Sequence, residues 1–160
     1  MDAKSVLHYG NQTWLRALKE VPVDQREVSG ACGVWSVKDL VAHLAAYEQV
    51  LVEVLKGLTG EKQATPSLDL WQQGGEKFNE ASISKRQGLK YEEVLAEYQQ
   101  ADDQVMSLIE KFPEEKLREK GTIPWYGAEY SIEDLIVYQY YGHKREHSAQ
   151  VEGFRDRVKK

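Results

Sequence analysis

The chain is 160 residues long and 41% hydrophobic, with 26 acidic against 21 basic side chains and a net charge of −5. That length matches one domain around one core, and an acidic chain whose longest basic runs are Lys144-Arg145 and Lys159-Lys160 argues against a nucleic-acid partner. No stretch approaches the roughly 18 apolar residues of a membrane span, Met1-Asp2-Ala3-Lys4 lacks an apolar signal core, and the single cysteine, Cys32, excludes an internal disulfide.

A reducing, cytoplasmic setting without a membrane partner is therefore expected. Cys32 has no catalytic partner near it in sequence and is not expected to act as a thiol nucleophile.

Four segments repeat apolar residues at helical spacing and none alternates as a strand does, which predicts an all-α chain. The first, Ala3 to Lys19, aligns Val6, Leu7, Gly10, Trp14, Leu15 and Leu18, and Pro22 lies just past its end. The second opens at Ser36, whose hydroxyl can cap the first turn while Asp39 complements the positive helix end. Its stripe runs through Val37, Leu40, Leu44, Tyr47, Leu51, Val54, Leu55 and Leu58, and Gly57 and Gly60 mark its stop. From Thr59 to Leu89 the pattern weakens: Thr65-Pro66-Ser67 can start a short helix, but Gly74-Gly75 and Gly88 interrupt any continuous one. This stretch reads as a long crossover with some helix. The third clear helix, about Tyr91 to Phe112, groups Val94, Leu95, Tyr98, Val105, Leu108, Ile109 and Phe112, and Pro113 ends it. Gly121, Pro124 and Gly127 then mark a loop carrying Trp125 and Tyr126. The fourth helix begins at Ser131, where Asp134 repeats the earlier cap arrangement, and runs towards Phe154 or Val158. Together these predict a four-helix bundle, residues 1–160 as a single domain, with a long crossover between helices two and three.

Only four histidines occur, His8, His43, His143 and His147. His143 and His147 stand four residues apart, so they project from one helical face about one turn from each other. Steps of three and four from Ile132 pass through Ile136, Gln139, His143, His147, Gln150 and Phe154, which places both imidazoles along the stripe that should face the interior. His43 lies beside Leu40, Leu44 and Tyr47. A single half-buried histidine is usually neutral and satisfied by a carbonyl or carboxylate, and that reading stays open for each of the three alone. Three turned inward together form a donor set for Zn²⁺ or another borderline first-row ion at about 2.0–2.2 Å, with a coordination position left for water or substrate. Such an ion lowers the pKa of a bound water to about 7 or holds a cofactor thiol as thiolate.

Tyr47, Trp71, Trp125 and Tyr126 are candidate walls of a small-molecule pocket, with ordinary packing as the other reading. Glu146 projects about 100° from its neighbour His147 and reads as a surface carboxylate. Glu48 is a candidate acceptor behind the His43 ring, but a solvated face is the stronger expectation. His8 has no periodic relation to the other three.

The phrase Val34-Trp35-Ser36-Val37-Lys38-Asp39-Leu40-Val41-Ala42-His43-Leu44, with His143-Lys144-Arg145-Glu146-His147-Ser148-Ala149-Gln150-Val151 far downstream, resembles the DinB/YfiT-like superfamily of four-helix bundles. The likeness spans essentially the whole chain, including Phe78-Asn79-Glu80 and the run Glu92 to Glu97. It implies a divalent metal, commonly zinc or nickel, on His43, His143 and His147. Some members are thiol-dependent S-transferases or isomerases using bacillithiol, mycothiol or glutathione, which implies a low-molecular-weight thiol as a second cofactor, and related bundles often pair as homodimers. Pro124-Trp125-Tyr126-Gly127, the Ser131 helix start and the Phe78-Asn79 to Phe112 region also look similar to the DUF1706 (ClbS/DfsB) branch, whose colibactin-resistance member is a cyclopropane hydrolase without the three histidines. Two readings follow from these likenesses. One is a metal-dependent transferase or hydrolase acting on a small electrophile. The other is a non-catalytic bundle that binds or sequesters a small molecule. A purely structural helical domain is the third.

Overall fold

Short polar side chains start three of the long helices by taking up amides that a first turn leaves free. In α1 (Ala3–Lys19), Asp2 accepts from the Ser5 amide at 2.9 Å. In α2 (Val37–Leu58), the Asp39 amide donates to Ser36 Oγ at 3.1 Å and the Ser36 amide donates back to the Asp39 carboxylate at 2.9 Å. Ser131 and Asp134 repeat this reciprocal cap, at 3.1 and 2.8 Å, where the last helical rod begins. The computed structural model describes residues 2–160; among them every regular element is helical, and the only strand-like pairing is one bridge between Cys32 and Trp35.

Between α2 and the third long helix, the chain forms two short helices, α3 (Pro66–Gln72) and α4 (Gly75–Ser84). They lie against α2, whose buried surface is wider than one stripe: Val41, Ala42, Ala45, Ala46, Val50 and Val52 are buried as well as the expected positions. α5 (Tyr91–Ile109) packs along α2. It ends one turn before Phe112 because the Lys111 and Phe112 amides bond back three residues, to Leu108 and Ile109, tightening the chain ahead of Pro113. A further short helix, α6 (Glu114–Arg118), follows that proline and has no counterpart in the sequence reading.

The last rod differs most from expectation. It comprises α7 (Ile132–Ile136), a π turn (Val137–Gly142) and α8 (His143–Val158). A π turn carries an extra residue per turn and so rotates everything after it relative to a regular helix. The buried positions are Ile132, Leu135, Ile136, Tyr140, Lys144, His147, Ser148, Val151 and Phe154, whereas Gln139, His143 and Gln150 are only half-buried. The inward stripe is thus centred one residue further on than its 3–4 spacing implied, and it includes a lysine. The π turn also lies close to α1: a Cβ on Gly10 would sit 3.3 Å from Cδ2 of Tyr141, so the absence of a side chain permits the approach.

The apolar core falls into two clusters, one around Leu51, Leu55, Val105, Ile109, Ile136 and Tyr140, the other around Trp14, Leu40, Leu44, Val94, Tyr98 and Val151. A polar layer separates them. Lys144 is 1% exposed, and its ammonium lies 2.7 Å from Glu48 Oε1 and 3.3 Å from Asp102 Oδ1, with the Tyr98 ring 5.4 Å away. Tyr98 in turn donates its hydroxyl hydrogen to Asn11 Oδ1 at 2.8 Å. Glu48 is 0% exposed, which corrects the expectation of a solvated face and of a place behind His43: it faces Lys144. Burial works against the lysine's charge, yet Glu48, Tyr98 and Asp102 together outweigh that and raise the Lys144 pKa. Burial raises the pKa of both carboxyls, since two acids share one ammonium in a dry layer.

Removing one partner of such a group strands the remaining charges, at a typical cost of about 3–5 kcal/mol, whereas neutralising the whole group is tolerated. Lys144→Met should therefore lower the unfolding free energy by about that amount, and the triple variant Glu48→Gln/Asp102→Asn/Lys144→Met should recover most of it. Urea denaturation of the two variants decides the point: equal losses in both would mean that packing, and not stranded charge, sets the cost.

Candidate metal centre

His43 is carried on α2, and His143 and His147 occupy the first and second turns of α8. The three rings converge through the same nitrogen. Nε2 of His143 lies 2.9 Å from Nε2 of His43 and 2.8 Å from Nε2 of His147, and the ring centroids are 4.5 to 5.1 Å apart. These are the three residues that form a group able to hold a metal ion, their donor atoms all within 4.8 Å of one another.

Burial strips water from each ring and disfavours its charged form. It lowers the pKa of His43 to about 2, helped by the neighbouring His143 and His147, and that of His143 to about 4, helped by His147. His147 is lowered by the same desolvation. All three are neutral near pH 7. Neutral imidazoles that point their Nε2 lone pairs at one spot repel unless a hydrogen or a cation lies between them, so the donor set fits a borderline divalent ion. Tetrahedral ligands at about 2.0–2.1 Å from an ion are about 3.3 Å from one another, so the two close pairs, His43–His143 and His143–His147, would open by a few tenths of an ångström.

The outer nitrogens also matter, because an acceptor there holds a ring in its ligating tautomer. His147 Nδ1 lies 2.7 Å from Gln150 Oε1. His143 Nδ1 faces the main-chain carbonyl of Gln139, within the π turn, and that carbonyl works against the fall in its pKa, although full hydrogen-bond geometry is not reached.

Tyr47 ties the cluster to the aromatic residues anticipated from sequence. Its ring is 4.9 Å from His43 and 4.5 Å from His143, and Trp71 Nε1 donates to its hydroxyl at 3.4 Å. Trp71, Trp125 and Tyr126 surround one cleft of about 360 Å³, with Trp71 and Trp125 edge to face at 5.6 Å. Tyr47 does not line that cleft; it stands between it and the histidines, packed on Phe78 at 5.2 Å.

Trp35 and Asn79, near the cluster, were not legible beforehand as lining a cavity. Trp35 stacks obliquely on His43 at 5.2 Å and, with Gly75, Glu76, Asn79, Glu80 and Ile83, lines a second cleft of about 680 Å³. The tight turn before α2 places Trp35 there: its carbonyl accepts amides from Gly30 and Ala31 at 3.1 and 2.9 Å. The remaining candidates lie elsewhere. His8 and Glu146 are exposed, and Cys32 is half-buried in the turn ahead of Trp35.

A family model for the DinB superfamily matches residues 7–151, and the chain belongs to that superfamily. No curated protein and no solved structure matches it. The family and the three-histidine group together fit a metal-binding protein. Among the described residues no helix is long and apolar enough to cross a membrane.

The unfolded chain's imidazoles titrate near 6.5, and the folded ones lower. Between those values the unfolded state binds more protons, so stability rises with pH. In metal-free protein the stability is complete above about pH 6.5 and falls as the pH drops towards the folded pKa of His143, about 4, and on towards that of His43, about 2. Each histidine contributes a slope of up to about 1.4 kcal/mol per pH unit in its window. Urea midpoints from about pH 8 down to about pH 4, compared with a His43→Gln/His143→Gln/His147→Gln variant, isolate this contribution; parallel profiles would contradict it.

Proposed function

We propose that the chain is a divalent-metal-dependent enzyme, an S-transferase or hydrolase, acting on a small electrophilic molecule. His43, His143 and His147 hold the ion, zinc or nickel. The convergence of three neutral Nε2 atoms beside aromatic clefts carries the reading. Bound there, a divalent cation supplies Lewis acidity that makes a nucleophile available at neutral pH from water or from a low-molecular-weight thiol.

The protein's own residues do the rest. Burial keeps the three imidazoles unprotonated, so their lone pairs are free at pH 7. His143 is half-buried, at the margin of the inward face of the last rod. Trp71, Trp125 and Tyr126 offer π faces to the apolar part of a substrate. The Tyr47 hydroxyl keeps its hydrogen, because burial raises its pKa, and its ring lies beside His43 and His143.

A second reading is a small-molecule binding or sequestration bundle of the DUF1706 type. It is favoured by one observation: the Trp71–Trp125–Tyr126 cleft contains no histidine, so an aromatic ligand can sit there without the ion.

Elemental analysis of protein purified without an affinity tag should find about one zinc or nickel per chain. His143→Ala should remove most of the metal and lower turnover of electrophile panels, run with and without added thiols, by at least about 10²-fold. Stoichiometric ligand capture unchanged by a chelator and by His143→Ala would favour sequestration.

A further inference from the structure

Among the buried polar atoms at the imidazole cluster with no partner at full hydrogen-bond geometry are Nδ1 of His43 and Oδ1 of Asn79, besides the Nδ1 of His143 already described. The first two belong to neighbouring side chains. Asn79, on α4, lines the same cleft as Trp35, whose indole lies 5.2 Å from the His43 ring. The Asn79 amide also acts on that ring as a hydrogen-bonding neighbour, favouring its protonated form against the effect of burial. A buried donor and a buried acceptor left open are both unfavourable, and an imidazole N–H and an amide oxygen are complementary partners for each other.

The chemistry of the ring sets the direction of this contact. Nε2 of His43 points at His143 Nε2, 2.9 Å away. When Nε2 offers its lone pair, the ring hydrogen is on Nδ1, and Nδ1 needs an acceptor. An amide oxygen is one. His147 follows the same plan with Gln150 Oε1 at 2.7 Å, and His143 faces the Gln139 carbonyl. Asn79 is the side chain that bears on His43 in the corresponding way.

We propose that Asn79 is a positioning residue of the metal centre: its Oδ1 accepts the Nδ1 hydrogen of His43 and locks that ring in the tautomer whose Nε2 faces His143 and His147. The role in ion binding rests on the metal reading above, whereas the tautomer lock can be observed without any metal. Through this contact the crossover helix α4 becomes part of the centre, although it carries no ligand.

The test uses the full chain and its Asn79→Leu and Asn79→Asp variants, with Zn²⁺ itself as the probe. Affinity is read by competition with a chromogenic chelator, and the His43 tautomer by nitrogen-15 imidazole NMR of zinc-free protein. Asn79→Leu should weaken zinc about 10–100-fold and release His43 into a mixture of tautomers. Asn79→Asp, which keeps an acceptor, should restore both. Thermal unfolding checks that the Leu variant folds; should it not, Asn79→Ser, too short to reach the ring, is read in the same way. Zinc affinity of the Leu variant within about twofold of wild type, with an unchanged His43 spectrum, overturns the proposal. So does a wild-type His43 carrying its hydrogen on Nε2. If wild type binds no zinc but Asn79→Leu still alters the tautomer, the lock stands and the metal reading falls.

Discussion

A single ammonium in the middle of the bundle sets the register of the helices around it. Lys144 enters from α8, Glu48 from α2 and Asp102 from α5, and the apolar clusters lie on either side of the layer they form. Apolar surfaces slide over one another with small changes in energy, whereas a buried charge displaced from its partners by a few ångströms is strongly penalised. The layer therefore specifies relative helix positions more than it adds stability. α1 joins at the same level through Asn11, which accepts the Tyr98 hydroxyl hydrogen, and through Gly10, which lets the π turn approach.

That register has a direct consequence for the imidazoles. His143 precedes Lys144 in the chain, and His43 precedes Glu48 by little more than one helical turn. Once the lysine and the glutamate meet, the two helices are held so that His43 and His143 can meet beside them. The π turn completes this arrangement. It re-aims the rod so that Lys144 takes the centre of the inward face, and leaves His143 at its margin, half-buried. The ion layer and the histidine cluster are adjacent products of one helix rotation.

Around the cluster the protein supplies aromatic rings and few charges. Trp35 and Tyr47 flank His43, and Tyr47 also lies against His143. This low-polarity shell keeps the imidazoles neutral, and neutrality is what a donor set needs at pH 7. The same rings continue outwards through Trp71 to Trp125 and Tyr126, so the surface that dries the histidines is continuous with the aromatic lining of the cleft those three surround.

Much of the fold was legible in the linear chain, because helix caps and 3.6-residue periodicity are local properties. Ser36 with Asp39, Ser131 with Asp134 and Pro113 marked the ends of elements from a few neighbouring side chains, and the family signature lay in two short phrases around His43 and His147. The partners of buried polar groups were not legible, since these are set by contacts across the bundle. Glu48 looked like any helix-surface acid until a lysine nearly a hundred residues away was brought against it. The π turn has no periodic signature and moved the inward stripe by one residue. Asn79, inside the family phrase but on an irregular crossover, acquired a neighbour in His43 only when α4 folded back over α2. Spacing along the chain thus determined which long helices form and which histidines come to the side of the interior; the packing of charges and amides without water decided where those helices stop rotating, and so what the histidines meet.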